Sequence, residues 1–282
     1  MNLRPLLLLL LLTWCPAAVI VAAGSPVKTV SIHQVPALVK KTIETQLNDA
    51  KLGDIEQDEQ EGEVTYTVNT TTKDGDEKYF TVSDAGILLN VQVTLEESPI
   101  PVQRTVKKQV ADGTLDNLEK TFEQNEITYE VEMTRKDGAE RSFTVALDGA
   151  LTSLQISIEE TPPGARKTIE AHAGDGKVEN VYHLSEKGAV SYDAEVNKDG
   201  KVRDVIVASD GKLESVQVFL LELPAPAQKT IQEKIGAGKI VRIDRDSTPR
   251  QGVQPFEVEG RKDGKPFNFS VGPRGRFLGM DE

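Results

Sequence analysis

A single period, close to 63 residues, constrains this chain more than any other feature. The tripeptide Lys-Asp-Gly ends at Gly75, Gly138, Gly200 and Gly264, in steps of 63, 62 and 64. A basic residue followed by Thr and then Ile or Val places Thr42, Thr105, Thr168 and Thr230 at steps of 63, 63 and 62. Prolines recur at Pro36, Pro99, Pro162 and Pro224, and a strand aromatic at Tyr66, Tyr129, Tyr192 and Phe256. A second turn glycine recurs at Gly86, Gly149, Gly211 and Gly275. Several unrelated markers on one period mean copies of one supersecondary unit.

Each copy opens with a helical pattern. Val35, Val39, Ile43 and Leu47 recur every four residues and share one face, as do Val102, Val106 and Val110, and Ala227, Ile231 and Ile235. The third copy has only Ala165, Ile169 and Ala173 on that face. The opening proline suits a first turn, whose N–H has no intrahelical partner. Gly113, Gly174 and Gly236 are expected to stop three of the helices.

Four strands are expected to follow. The first is short and carries Leu52 and Ile55, then Leu115 and Leu118, Val178 and Val181, and Ile240 and Ile243. The second alternates, with Val64, Tyr66 and Val68 on one side and Thr65, Thr67 and Asn69 on the other. One buried and one wet face indicates an antiparallel sheet. Asp-Gly then closes a hairpin onto a third strand with Phe80 and Val82. A tight turn leads to a fourth with Val91, Val93 and Leu95, and in the last copy to a truncated strand at Phe277 and Met280. The joints are short and proline-rich, which stiffens them.

The expected fold class is α+β: four tandem units, each a helix packed on a four-stranded antiparallel sheet. They span residues 35–97, 98–160, 161–222 and 223–282. A unit of this size buries only about 60% of its unfolded surface, so neighbours should pack on one another.

Residues 1–23 read as a secretory signal peptide: Arg4, the run Leu6 to Leu12, and small residues ending at Ala23. Two alternatives stay open. The 19 apolar-rich residues 5–23 approach a membrane span and could persist as an anchor. Cys15 could be lipidated, although Trp14 occupies the place where that processing wants a small residue. Cleavage after Ala23 removes the only cysteine, leaving no disulfide and no thiol chemistry.

The net charge of −12 argues against a nucleic-acid partner. The charge is uneven, at −16 over residues 24–223 and +3 over 224–282. The last copy could complement an acidic neighbour or dock an anionic partner.

A helix followed by four antiparallel strands, in exported units of this size, resembles the PepSY-like, β-lactamase-inhibitor-like family. The residues carrying the resemblance are Lys41-Thr42-Ile43, Tyr66, Lys73-Asp74-Gly75 and Asp84 to Gly86, with counterparts in every copy. It implies an exported protein that is not an enzyme. Such a protein engages or inhibits an envelope or secreted partner, such as a hydrolase, through its sheet surfaces. The other reading is a structural or stress-related envelope protein with no enzyme target. Membrane contact is expected only if the N-terminus is retained.

Residues that could carry chemistry are sparse. The histidines are His33, His172 and His183, and no His-Glu-x-x-His or Gly-x-Ser-x-Gly run occurs. The acidic runs Asp58-Glu59-Gln60-Glu61 and Asp74-Gly75-Asp76-Glu77 lack the ligand spacing of a calcium loop and read as a solvated loop and a hairpin turn. No catalytic residue, metal ligand or cofactor is expected, and no binding residue is assigned. Two surfaces remain candidates for recognition: the row of Lys-Asp-Gly tips, and the polar side of the second strands, Thr65, Thr67, Glu130, Glu132, Asp193 and Glu195. A solvated turn and a solvated sheet face explain both without a partner.

Overall fold

A computed structural model describes residues 27–60, 63–123, 126–262 and 265–281. The signal-peptide expectation at 1–23 and the hairpin glycine Gly264 lie outside them. The chain forms two compact bodies, residues 27–77 with 81–87, and residues 78–80 with 88–281.

The first body holds β1 (Lys28–Val30), α1 (Ala37–Leu47), β2 (Lys51–Gln60) and β3 (Glu63–Thr71), with the ends of β4 (Glu77–Ser83). β2 pairs antiparallel with β3 on one side and with β1 on the other. Val39, Ile43, Ile55, Tyr66, Val68 and Val82 are buried, each worth about 1.5–3 kcal/mol relative to exposure. The first strand was expected to be short. It runs ten residues, so Asp58 and Glu59 stand on a strand and not in a loop.

The second body runs through β5 (Leu88–Gln92), α2 (Ile100–Val110), β6 (Thr114–Glu123), β7 (Glu126–Thr134), β8 (Glu140–Ala146) and β9 (Leu151–Ile156). It continues through α3 (Pro163–Ala173), β10 (Lys177–Glu186), β11 (Ala189–Lys198), β12 (Lys201–Ala208) and β13 (Leu213–Gln217). The last elements are α4 (Ala225–Ile235), β14 (Lys239–Asp246), β15 (Phe256–Lys262), β16 (Lys265–Val271) and β17 (Phe277–Asp281). From β5 to β17 every strand pairs antiparallel with its sequence neighbour. The expected four-stranded sheets are therefore not separate: β9 pairs with β10, and β13 with β14, straight across the repeat boundaries. The apolar cores do stay apart. Around α2, α3 and α4 there are three clusters, centred on Val102 and Val106, Ala165 and Ile169, and Ala227 and Ile231. β17 is five residues long, as β5 and β13 are, so it is not truncated.

Two sequence markers meet in each copy. The hydroxyls of Thr42, Thr105, Thr168 and Thr230 donate to the carbonyls of Gly86, Gly149, Gly211 and Gly275 at 2.6, 2.6, 2.7 and 2.8 Å. The glycine is required there. At Gly149 φ is +88°, and a Cβ would lie 2.7 Å from Pro101.

The helix ends differ in detail from the expectation. Pro36, Pro99, Pro162 and Pro224 sit at the N-cap, one residue before the helix, and their carbonyls accept the first helical hydrogen bonds. Gly174 and Gly236 take the left-handed position after α3 and α4, but Asn48 and Ala111 take it after α1 and α2. Gly113 serves another purpose: a Cβ on it would meet the Thr134 carbonyl at 2.5 Å.

The joints inside the second body are pinned. Glu97, Glu160 and Glu222 accept the backbone N–H of Thr94, Ser157 and Phe219 at 2.7, 2.8 and 3.1 Å. Each also pairs with a cation nineteen residues earlier, Lys78, Arg141 or Arg203. Those contacts hold Glu97 below the usual carboxylate range, chiefly through the Lys78 ammonium.

Candidate functional site

Strand alternation puts one side of the sheet in residues 88–281 against the helices. The other side carries polar residues. On β6 to β9 that side bears Asn117, Glu119, Glu130, Glu132, Thr144, Ser153 and Gln155. On β10 to β14 it bears Asn180, Tyr182, Asp193, Glu195, Asp204, Gln217, Arg242 and Asp244.

A β-bulge in each first strand re-aims these residues. Pairing shifts between Leu115 and Asn117, between Val178 and Asn180, and between Ile240 and Arg242. The extra residue turns Asn117, Asn180 and Arg242 to the polar side while Leu118, Val181 and Ile243 stay in the core.

Those three positions tie neighbouring copies together. Gln92 Nε2 donates to Asn117 Oδ1 at 3.0 Å, and Gln155 Nε2 donates to Asn180 Oδ1 at 2.9 Å. Asn117 Nδ2 donates in turn to Tyr79 Oη and Glu119, and Asn180 Nδ2 to Glu195 Oε2 at 2.6 Å. The Tyr79 hydroxyl also donates to Glu119. Burial and Glu119 raise the Tyr79 pKa far above its ordinary value. At the third joint Arg242 replaces the asparagine. Its Nη1 donates to Asp204, while Nε and Nη2 bind Asp244 in a two-point fork at 2.6 and 2.9 Å.

Much of this polar side is shielded from solvent, although Glu132 on it stays exposed. Thr144, Ser153, Asp244 and Ser270 all lie on it and are buried. Glu123 on β6 feels the charge of Arg261 on β15, and Glu259 on β15 feels Glu123. Nine strand spacings of about 4.8 Å would separate β6 from β15 by roughly 43 Å in a flat sheet. Screened charges do not act over such a gap, since the Debye length is about 8–10 Å. The sheet therefore coils. Further bulges between Thr144 and Val145, Ile206 and Val207, and Ser270 and Val271 supply the bending.

Desolvation makes this face chemically unusual. Glu130 stands opposite Glu119, and burial followed by the Glu119 charge pushes its carboxyl up to about 7. Glu132 and Glu195 are raised chiefly by burial too. Asp193 is raised well above the usual range by burial and then by Asp204, against the opposing pull of Arg242. Its Oδ1 is buried without a hydrogen-bond partner. Two negative carboxyls directly opposite one another destabilise a sheet, so this arrangement is costly for folding alone.

Of the sequence candidates, Glu130, Glu132, Asp193 and Glu195 come onto this single face. Thr65 and Thr67 belong to the first body, where Thr67 Oγ1 lies 3.4 Å from Thr81 Oγ1. The Lys-Asp-Gly tips at Gly75, Gly138 and Gly200 stand in open solvent. Lys73, Lys136 and Lys198 pair with Asp49, Asp112 and Asp175 beyond each helix. His172 is exposed on α3, with Nδ1 2.9 Å from the Thr168 carbonyl, and His183 packs edge-on against Tyr192, with ring centroids 5.5 Å apart. Among the described residues, no three His, Cys, Asp or Glu side chains come together to hold a metal. No described helix is long and apolar enough to cross a membrane. Sequence reasoning missed Tyr79, the glutamines Gln92, Gln155 and Gln217, and the positions Asn117, Asn180 and Arg242. All but Tyr79 keep the 63-residue period and could have been found by it.

No family model matches the chain, and no curated protein matches it in sequence. Solved structures overlay on parts of it. One is a protein of the DUF2874 family from Bacteroides vulgatus ATCC 8482, provisionally described as periplasmic, with TM-score 0.29, 15% identity, 46% of this chain and 97% of that one covered. A DUF2874 family protein from Bacteroides ovatus ATCC 8483 gives TM-score 0.31 and 15% identity over 41% of this chain and 84% of that one. A BLIP-like protein from Bacteroides fragilis NCTC 9343 gives 0.33 and 14% over 43% and 85%. Overlays this loose carry no argument about this chain.

Proposed function

We propose that this is an exported, non-enzymatic binding protein that engages a protein partner in the periplasm or outside the cell, a hydrolase among the candidate classes, with the coiled polar face of residues 88–281 as the docking surface. Its architecture is four copies of one helix-and-four-strand unit, residues 35–97, 98–160, 161–222 and 223–282, behind a signal peptide at 1–23. The observation that carries this reading is the polar face itself. It is curved and partly desolvated, and it holds carboxyl groups raised above their ordinary range by burial and by one another. A partner with complementary positive charge would relieve that cost and gain orientation and association rate.

Photo-crosslinking in the exported compartment tests the reading. A benzophenone side chain replaces Thr121 on the polar side in one variant and Lys108 on the outer side of α2 in another. Thr121 should yield one discrete crosslinked protein and Lys108 none. Equal yields from both positions, or no product from Thr121, would overturn the assignment. A product containing only cell-wall polymer would select a structural envelope role.

A further inference from the structure

We propose that the carboxylate niche around Asp193 is a receptor for a primary ammonium group, the side chain of a lysine presented by the partner. The inference deepens the reading of this face as a docking surface and rests on it. Three carboxyl groups from two adjacent strands lie side by side on this face. Glu195 and Asp204 are direct cross-strand partners on β11 and β12, and Asp193 is diagonal to Asp204. Such neighbours stand about 5 and about 7–8 Å apart, close enough to be reached by one long side chain laid between them.

The titratable and charged groups acting on Asp193 come from its own strand, from the strands on either side and from β14. Tyr182 lies opposite on β10, Glu195 is on its own strand, Asp204 is on β12, and Arg242 and Asp244 are on β14. Arg242 is the cation that acts on Asp193, and its fork is already committed to Asp244 and Asp204. The four carboxyls of Asp193, Glu195, Asp204 and Asp244 thus outnumber the guanidinium by three. Asp193 carries the mark of the shortfall: its Oδ1 is buried and unpartnered, a position costly to leave empty. Asn180 serves Glu195 Oε2 and does not reach Asp193.

The chemistry selects an ammonium. A metal ion is disfavoured because no three described acidic or histidine groups meet in metal-binding geometry. A second guanidinium would need room for a planar fork beside the one already there. An ammonium is a compact charge with three donors and can address three separate acceptors. Burial raises the Asp193 carboxyl above its ordinary range, so it holds a proton more tightly than a solvated aspartate does. An ammonium beside it favours the ionised form, so binding should draw protons off and strengthen as pH rises.

The test uses the mature chain and Nα-acetyl-lysine methylamide as probe, read by carboxyl 13C and amide NMR. Shifts should centre on Asp193, Glu195 and Asp204. Asp193→Asn, which keeps the shape, should weaken binding about tenfold or more. Glu195→Gln should weaken it while leaving Asp193 in place. Calorimetry near pH 6 in phosphate and in Tris should give different apparent enthalpies, the sign of proton release. Shifts elsewhere, unchanged binding by Asp193→Asn, or equal binding of Nα-acetyl-arginine methylamide or calcium chloride would each overturn the proposal. If the lysine probe fails while Thr121 still crosslinks a protein, only this inference falls. If the probe binds and Thr121 yields nothing, the receptor stands and the docking reading falls.

Discussion

The polar side of β6 to β9 and that of β10 to β14 are copies of one design, yet they balance charge differently. In the earlier region Asn117 links Gln92 to Glu119, and Glu119 faces Glu130 with no guanidinium between them. The Tyr79 hydroxyl is the added donor. In the later region Arg242 stands where the period would place a third asparagine, and it gathers Asp204 and Asp244. One joint is neutral and tolerates a protonated carboxyl beside it. The other is ionic and depends on its cation. A repeat can thus preserve its backbone and its bulges while changing the electrostatic solution at one position.

The largest effect should come from breaking the ionic side. Arg242→Met leaves Asp193, Asp204 and Asp244 without their cation. Losing one partner of a buried pair costs about 3–5 kcal/mol. Urea unfolding at pH 7 should register that loss, and acid should partly restore stability by protonating the carboxyls. A variant as stable as the parent at pH 7 would mean that Arg242 is not the organising charge.

The neutral side should respond to pH instead. Glu130 is raised to about 7 from an ordinary 4.5. The folded state therefore holds its proton more tightly than the unfolded chain does. The associated stability is complete below about pH 4.5 and is lost as pH rises through 7. Each pKa unit is worth about 1.4 kcal/mol, so the loss is at most about 3 kcal/mol. Glu130→Gln should flatten the stability profile between pH 5 and 8 and be the more stable form at pH 8. An unchanged slope would place the titration elsewhere on the face.

A smaller cost is expected at the shared joint. Asn180→Ala leaves Gln155 Nε2 and Glu195 Oε2 each short of a partner, worth about 1–3 kcal/mol by urea unfolding. Asn117→Ala should cost a similar amount. A cost confined to one of the two would show that the joints are not equivalent.

How much of this could be read from the sequence differs by feature. The period, the helix faces and the alternating second strands were all legible, because apolar spacing reports directly on which side is buried. The bulges were legible in principle. Leu115 and Leu118 are three apart, as are Val178 and Val181, and no regular strand puts such a pair on one face. Read as a short strand, the spacing hid the turn of Asn117 and Asn180 onto the polar side. The continuous sheet was not legible, since pairing of β9 with β10 depends on edges that a single copy does not reveal. The coil was hidden for the same reason: it sums small bends from many bulges. Glu130 and Asp193 looked like ordinary solvated strand residues because only the coil desolvates them.

The smallest effect should belong to the most visible marker. Lys136 of the second Lys-Asp-Gly turn pairs with Asp112 at 3.1 Å, and both side chains are more than two-thirds exposed. Lys73 and Lys198 repeat the arrangement with Asp49 and Asp175. Water already solvates these charges, and holding two long side chains together costs entropy, so the pairs contribute little despite their regularity. Lys136→Ala should leave the urea midpoint unchanged at pH 7 while Arg242→Met shifts it strongly. If the lysine mattered as much as the arginine, exposure and not desolvation would be setting the energetics of both regions. Regular spacing would then be a better guide to function than burial. The opposite is expected, because Asp-Gly recurs to satisfy a turn, whereas the polar face persists at a folding cost that binding would offset.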